Sequence, residues 1–339
     1  MRDFRDHVHA GLTALWAADE AELEARAGDM IAPGAVWDIA APVNELSGRA
    51  AILDGFLRPL RAAMPHVRRR DEIFIGGRNV RDAGGDWVAA VTHYVGNFAA
   101  PLWGIPPSGG LVFLRAGEFY RVEDGRLAQA RIIVDLPDLM RQAGRAPFDM
   151  QLGTEMLFPG PATHDGVLPQ GAHGGRSLDL VQRMLSDLHA FDPETHASAG
   201  QTGEDGTWAD DMLWYGPGGI GSNYRWEGFV AFHRAAFLRA FPDRAGGNHF
   251  CRIGDGDYAA VSGWPSMTMT HAGPYLGMPA TGKSLSLRVM DFYRCDYRHD
   301  PRGRIAENWV LLDYVDMFAQ MGVDLIARGS ALAGAEPPA

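Results

Sequence analysis

Two cysteines, Cys251 and Cys295, are all that the 339 residues contain. They are too few to staple a chain of this size, and nothing has the paired spacing of a zinc site, so no metal is expected. Long apolar runs are missing too. No stretch approaches the ~18 residues of a membrane span, and no apolar segment precedes a small-residue cleavage site near the start. Positive charge is short: 31 Lys and Arg against 42 Asp and Glu leave a formal charge of -11. That balance argues against nucleic acid or an anionic membrane as partner, because phosphate binding needs clustered Lys and Arg. The richest basic run, Arg68-Arg69-Arg70, is followed at once by Asp71 and Glu72 and reads as a solvated face. The expected setting is reducing and cytoplasmic.

What is present is an ordinary globular composition, with 46% hydrophobic and 22% charged residues. The length exceeds a usual single core, so two domains are expected. Leu12, Leu15, Trp16, Leu23 and Met30 recur at roughly helical spacing and predict one helix over 5–30, closed by Pro33-Gly34. Residues 36–40 read as a short strand, 42–48 as a loop, and 50–64 as a second helix stopped by Pro65. The period then changes from helical to alternating. Strands are predicted over 70–76, 86–98, 112–122 and 127–135, with Glu123-Asp124-Gly125 as a hairpin turn. Helices followed by antiparallel strands make an α+β domain.

The proline- and glycine-rich stretch 147–176 reads as a linker or an arm wrapping its neighbour. After it the order restarts, with helices over 178–188 and 226–241 and strands over 208–215, 247–253, 257–270, 285–293 and 305–312. Gly104-Ile105-Pro106-Pro107-Ser108-Gly109 answers Gly277-Met278-Pro279-Ala280-Thr281-Gly282, and Glu118-Phe119-Tyr120-Arg121 answers Asp291-Phe292-Tyr293-Arg294 at the same offset. Asp135 answers Asp313 after a few residues inserted in the second hairpin. A period this long is a whole duplicated domain. The expected division is 1–146, a linker at 147–176, a second domain at 177–330 and a tail at 331–339.

The segment Thr270 to Gly282, with Arg288, Arg294 and Glu307-Asn308-Trp309-Val310-Leu311-Leu312-Asp313, resembles the SnoaL-like polyketide cyclases of the nuclear transport factor 2-like superfamily. The first half keeps the Gly-Ile-Pro-Pro-Ser-Gly, Glu-Phe-Tyr-Arg and Ile-Val-Asp blocks but has Phe98 where the second has His271, and Arg131 where the second has Trp309. The resemblance implies two tandem cone-shaped α+β barrels, each a curved antiparallel sheet wrapped by helices around an apolar pocket. It implies cofactor-free aldol chemistry on a hydrophobic aromatic or polyketide-like substrate, with an Asp as acid/base at Asp313 and, more loosely, Asp135. Relatives also run isomerisations, dehydrations and C–C cleavage, and some only bind ligands or dimerise. The two cones are expected to pair within the chain, with homo-oligomerisation left open.

Strand alternation puts Leu287, Val289, Asp291 and Tyr293 on one face, and Glu307, Trp309, Leu311 and Asp313 on one face of the last strand. A carboxylate in apolar company keeps its proton to higher pH, as enolisation beside a carbonyl requires. The catalytic candidates are therefore Asp313, Asp135, Glu118, Asp291, His271 and His93. The bland alternatives are that Asp291 pairs with Arg288 or Arg294, that Asp313 caps the next helix, and that His93 is a core residue. The substrate-binding candidates are Tyr94, Trp37, Trp103, Tyr275, Trp264, His249, Asn308 and Trp309. Gly216-Pro217-Gly218-Gly219-Ile220-Gly221 satisfies G-x-G-x-x-G in form only, because no helix opens directly after it. It reads as a flexible loop at the pocket rim.

Overall fold

A computed structural model describes residues 2–192, 194–195 and 197–332; of the expected tail, 333–339 lie outside the described residues. Alternating apolar residues build two sheets of one design. The first consists of β1 (Ile31–Ile39), β2 (Asn44–Ser47), β3 (Arg68–Arg78), β4 (Asp86–Asn97), β5 (Leu111–Glu123) and β6 (Arg126–Val134), in the order β2-β1-β6-β5-β4-β3. The second consists of β7 (Trp208–Tyr215), β8 (Asn223–Tyr224), β9 (Cys251–Asp255), β10 (Tyr258–Thr270), β11 (Ser284–Asp296) and β12 (Arg304–Leu312), in the equivalent order β8-β7-β12-β11-β10-β9. Each half is an α+β unit, as expected. The sheets stay open and are not wholly antiparallel, since β1 runs parallel to β6 and β7 parallel to β12. A long return path separates the strands of each such pair, so no hairpin dictates their direction.

Several helices differ from the expected bounds. The single helix over 5–30 is two, Arg2–Ala17 and Glu20–Met30, because Asp19 accepts the backbone N–H of Glu22 (2.9 Å) and starts the second. The loop expected over 42–48 contains β2. In each half the helix before the long strands contains one widened π turn, Leu53–Leu57 in the first and Val230–Arg234 in the second.

The strands bury both faces. On β11, Leu287, Val289 and Tyr293 face the helices, while Met290 and Phe292 face the other sheet. On β4, Val88, Ala90 and Tyr94 face inward and Trp87, Ala89 and Val91 face outward. The two outward faces pack on each other, with Phe119 against Phe292 at 5.4 Å between ring centroids. A Cβ at Gly117 would meet the side-chain ends of Leu311 and Met290, so the sheets approach closely here and a larger residue would make those side chains shift. Phe158, from the stretch 147–176, joins the same layer. In that stretch Gly166 and Leu168 bond to Phe74 of β3, and Thr154 to Ser222.

Trp309 lies in this layer, fully buried against Tyr215 (5.1 Å), and its indole N–H donates to the Pro159 carbonyl at 3.0 Å. Trp309→Ala should therefore cost about 3–5 kcal/mol by cavity formation. Urea unfolding checks this, and a loss below about 1 kcal/mol would place the residue in a site that collapses freely.

Candidate active site

Equivalent strand positions in the two halves carry a carboxyl side chain into the helix-wrapped interior, Glu118 on β5 and Asp291 on β11. Their surroundings differ completely.

In the first half the interior is filled. Trp103 stacks on Phe56 (5.9 Å, 14°), and Trp37 meets Tyr120 edge-on at 5.5 Å. Glu118 is wholly buried, 2.6 Å from the Arg69 guanidinium, and it accepts hydrogen bonds from the hydroxyls of Tyr94 and Tyr120. Arg69 also holds Asp71 at 2.8 Å. The basic run at 68–70 is thus not a solvated face throughout, since alternation turns its middle residue inward. A depression of about 810 Å³ opens beside this half, lined by Asp19, Arg58, Arg61 and Arg69, and Glu118 is not part of its wall.

The second interior contains a cavity of about 110 Å³. Its floor is the inward face of β11 and β12, including Asp291, Tyr293 and Asn308. Its far wall comes from the helix Gly174–His189 and the π turn that carries His233 and Arg234. Such turns recur at functional sites because they re-aim side chains. Asp291 is half-buried. Burial pushes its carboxyl up to about 7, opposed by hydrogen bonding with Asn308 and then Tyr293. Neither neighbouring arginine reaches it: Arg288 donates to Asp313 (2.9 Å) and Arg294 to Glu307. The even-numbered arginines point to the opposite face of the strand, which is why the pairing is impossible.

Three histidines line the far side. Burial holds His189 down to about 4 and His233 and His249 to about 3, with nearby arginines adding to each. All three are neutral at pH 7. His249 accepts from Arg252 Nε at 3.1 Å. His233 stacks on Trp214 (4.5 Å, 16°), and its Nδ1 has no hydrogen-bond partner among the described residues. The Ser266 hydroxyl is buried in the same condition. Among the described residues no cluster of His, Cys, Asp or Glu is grouped to hold a metal ion.

The remaining candidates lie outside the cavity wall. Asp313 caps the helix Tyr314–Met321, accepting from Asp316 N at 3.1 Å, and also takes the N–H of Ala41, 3.1 Å away in the other half. Burial pushes its carboxyl up to about 6. Asp135 mirrors it, capping Leu136–Gln142 and accepting from Arg115 (2.7 Å) and from Gly218 N (2.9 Å) of the second half. The G-x-G-x-x-G segment that supplies Gly218 is buried at this junction and is not a rim loop. His93 faces the inter-sheet side, 3.3 Å from Glu72. His271 bonds Thr281 Oγ1 (3.0 Å) beside Phe241. Tyr275 shares a hydroxyl contact with Tyr314 (2.6 Å), and Trp264 lies under the Arg288 guanidinium at 4.9 Å. Trp37, Trp103 and Tyr94 fill the first interior, and Trp309 the inter-sheet layer. Of the residues singled out from sequence, Asp291, Asn308 and His249 meet at the cavity.

His189, His233, Arg234, Arg244 and Ser266 escaped the sequence reading. One signal pointed to His233: Phe229, His233 and Phe237 recur every fourth residue, so the histidine shares the inward stripe of that helix.

Among solved structures, a candidate SnoaL-like polyketide cyclase from Jannaschia sp. CCS1 is 20% identical, covering 41% of this chain and 90% of its own, with TM-score 0.35. IdmH from Streptomyces antibioticus, a candidate polyketide cyclase, is 23% identical over 43% of this chain and 99% of its own, with TM-score 0.32. A ketosteroid isomerase-like protein from Catenulispora acidiphila, solved with trimethylamine, is 16% identical over 40% and 92%, with TM-score 0.31. No curated protein matches the chain. The SnoaL-like polyketide cyclase profile matches residues 12–143 and again 203–321, well over half of the sequence. The chain belongs to the SnoaL-like polyketide cyclase family.

Proposed function

We propose that the second half is a cofactor-independent acid/base enzyme carrying out aldol-type C–C bond chemistry on a hydrophobic, aromatic substrate, with Asp291 as the acid/base. The observation that carries this reading is a carboxyl poised to about 7 on the wall of a cavity, with no cation paired to it among the described residues. A group titrating near the working pH can both take and return a proton. Ionised Asp291 removes the proton from carbon beside a carbonyl. The electron pair moves to the carbonyl oxygen, and neutral His233, with one N–H to give, meets the charge that develops there. The enolate carbon then adds to a second carbonyl, whose π pair moves to its oxygen and takes the proton held by Asp291. In the reverse direction Asp291 removes the hydroxyl proton, cleavage generates the enolate, and Asp291 returns the proton to carbon. Isomerase or dehydratase chemistry would use the same proton transfer. At about 110 Å³ the cavity is smaller than the ~150 Å³ void that admits benzene, which limits an occupant to a single ring at most.

Deuterium exchange from D₂O into the methyl group of acetophenone, followed by NMR, tests the proton transfer. The rate should rise through pH about 7 as Asp291 ionises. It should fall to the buffer rate in Asp291→Asn and persist in Asp313→Asn. Exchange untouched by Asp291→Asn, or none from the wild type, would overturn the reading.

A further inference from the structure

We infer that the ligand of the second cavity is an anion, a one-ring carboxylate whose carboxylate group is seated on Arg244 at the helix side. This rests on taking the cavity as the reaction site and adds the chemistry of its occupant.

Arg244 lines the cavity half-buried, yet no carboxylate pairs with its guanidinium among the described residues; its ring contact is Phe191 at 5.2 Å. Three arginines with buried side chains are treated otherwise. Arg5 holds Asp255 at 2.7 Å, Arg69 holds Glu118 at 2.6 Å and Arg115 holds Asp135 at 2.7 Å. Burying a cation without a counter-charge is costly, and a guanidinium fork matches a carboxylate in two parallel hydrogen bonds.

Among the described lining residues Asp291 is the one carboxyl; Arg234 is bonded to the Leu188 carbonyl and to Ser198 Oγ, which leaves Arg244 as the lining cation with no carboxylate beside it. Burial drags Arg244 down to about 10, and Arg234 likewise, with Arg244 adding to the latter's shift. Burial, with both arginines adding to it, holds His233 and His189 neutral, whereas neither arginine contributes to the shift of Asp291. The cavity is therefore polar from end to end, with Arg234 on the π turn and Arg244 in the loop after the helix Ala235–Ala240 at one side, and a proton-exchanging carboxyl on the sheet at the other. An anionic substrate has one orientation in such a field: its charge lies toward Arg244 and its reacting carbon toward Asp291. Ser266 and His233, with unsatisfied polar atoms on the wall, can bind the groups between them.

Calorimetric titration with benzoate and with its uncharged counterpart benzamide, between the pKa values of benzoic acid and Asp291, tests this on the full chain. Benzoate should bind at least about tenfold more tightly than benzamide. Arg244→Gln should abolish that preference while leaving benzamide affinity in place, and Arg244→Lys should keep part of it. Equal affinities, no benzoate binding, or a preference that survives Arg244→Gln would each overturn the inference. The same titration in Asp291→Asn separates the two ideas. Benzoate preference should persist there although exchange is lost, so failure of the exchange test would leave the anion site standing, and the converse.

Discussion

Asp291→Asn should lower the rate of α-proton exchange by about 10²–10⁴-fold, the span for losing a positioned acid/base, and should make the protein more stable at neutral and alkaline pH. The second effect follows from linkage. In the unfolded chain this carboxyl ionises near its ordinary ~3.9. In the folded chain burial holds it at about 7. Between those values the unfolded state has released a proton that the folded state keeps, so stability falls as pH rises through the window and stays reduced above it. Asparagine has no such penalty. The variant's advantage should be negligible below about pH 4 and reach on the order of 3 kcal/mol above pH 7. His189, His233 and His249, together with Arg234, Arg244 and Tyr293, surround the carboxyl in both proteins and largely cancel in the difference. Thermal melts of both proteins across pH provide the check, and parallel melting curves would show that the carboxyl is not strained by burial.

Arg69→Met should be among the most destabilising single changes in the first half, at about 3–5 kcal/mol, because it strands Glu118 as a buried charge. Two tyrosine hydroxyls donate to that carboxylate, but neither brings a counter-charge. Adding Glu118→Gln to the same chain removes that stranded charge and should restore part of the loss, Asp71 still lacking its Arg69 partner. Urea unfolding of the single and double variants decides it: equal losses would mean that Arg69 acts through packing alone. Exchange at Asp291 should be unaffected in both, since neither residue lines that cavity.

The duplication was legible because turn-forming blocks such as Gly104–Gly109 and Gly277–Gly282 must repeat where the backbone must repeat. Alternation correctly separated Asp291, Val289 and Tyr293 from Met290 and Phe292. It could not say which face was the interior, because the tandem arrangement makes the outer faces apolar as well. Trp309 therefore looked like a pocket residue and is inter-sheet packing. Nor could local sequence distinguish Glu118 from Asp291. The difference between them is Arg69, far from Glu118 in the chain and brought close by the pairing of β3, β4 and β5. Asp135 and Asp313 drew attention through the family resemblance, and the pattern of a carboxylate directly before a helix was equally present in the sequence. The arginines and histidines of the far wall were hidden because a helical stripe of Phe and His reads as ordinary core.

The mirrored bonds from Asp135 to Gly218 and from Asp313 to Ala41 join the halves as two subunits would be joined, yet a peptide links them. In an assembly of identical copies, any change that fills one chamber fills the other. Fusion lifts that constraint: the two lobes can differ, and here Glu118 is neutralised by Arg69 in one while Asp291 lines a cavity in the other. Because a peptide links the two lobes, diluting the protein cannot part them.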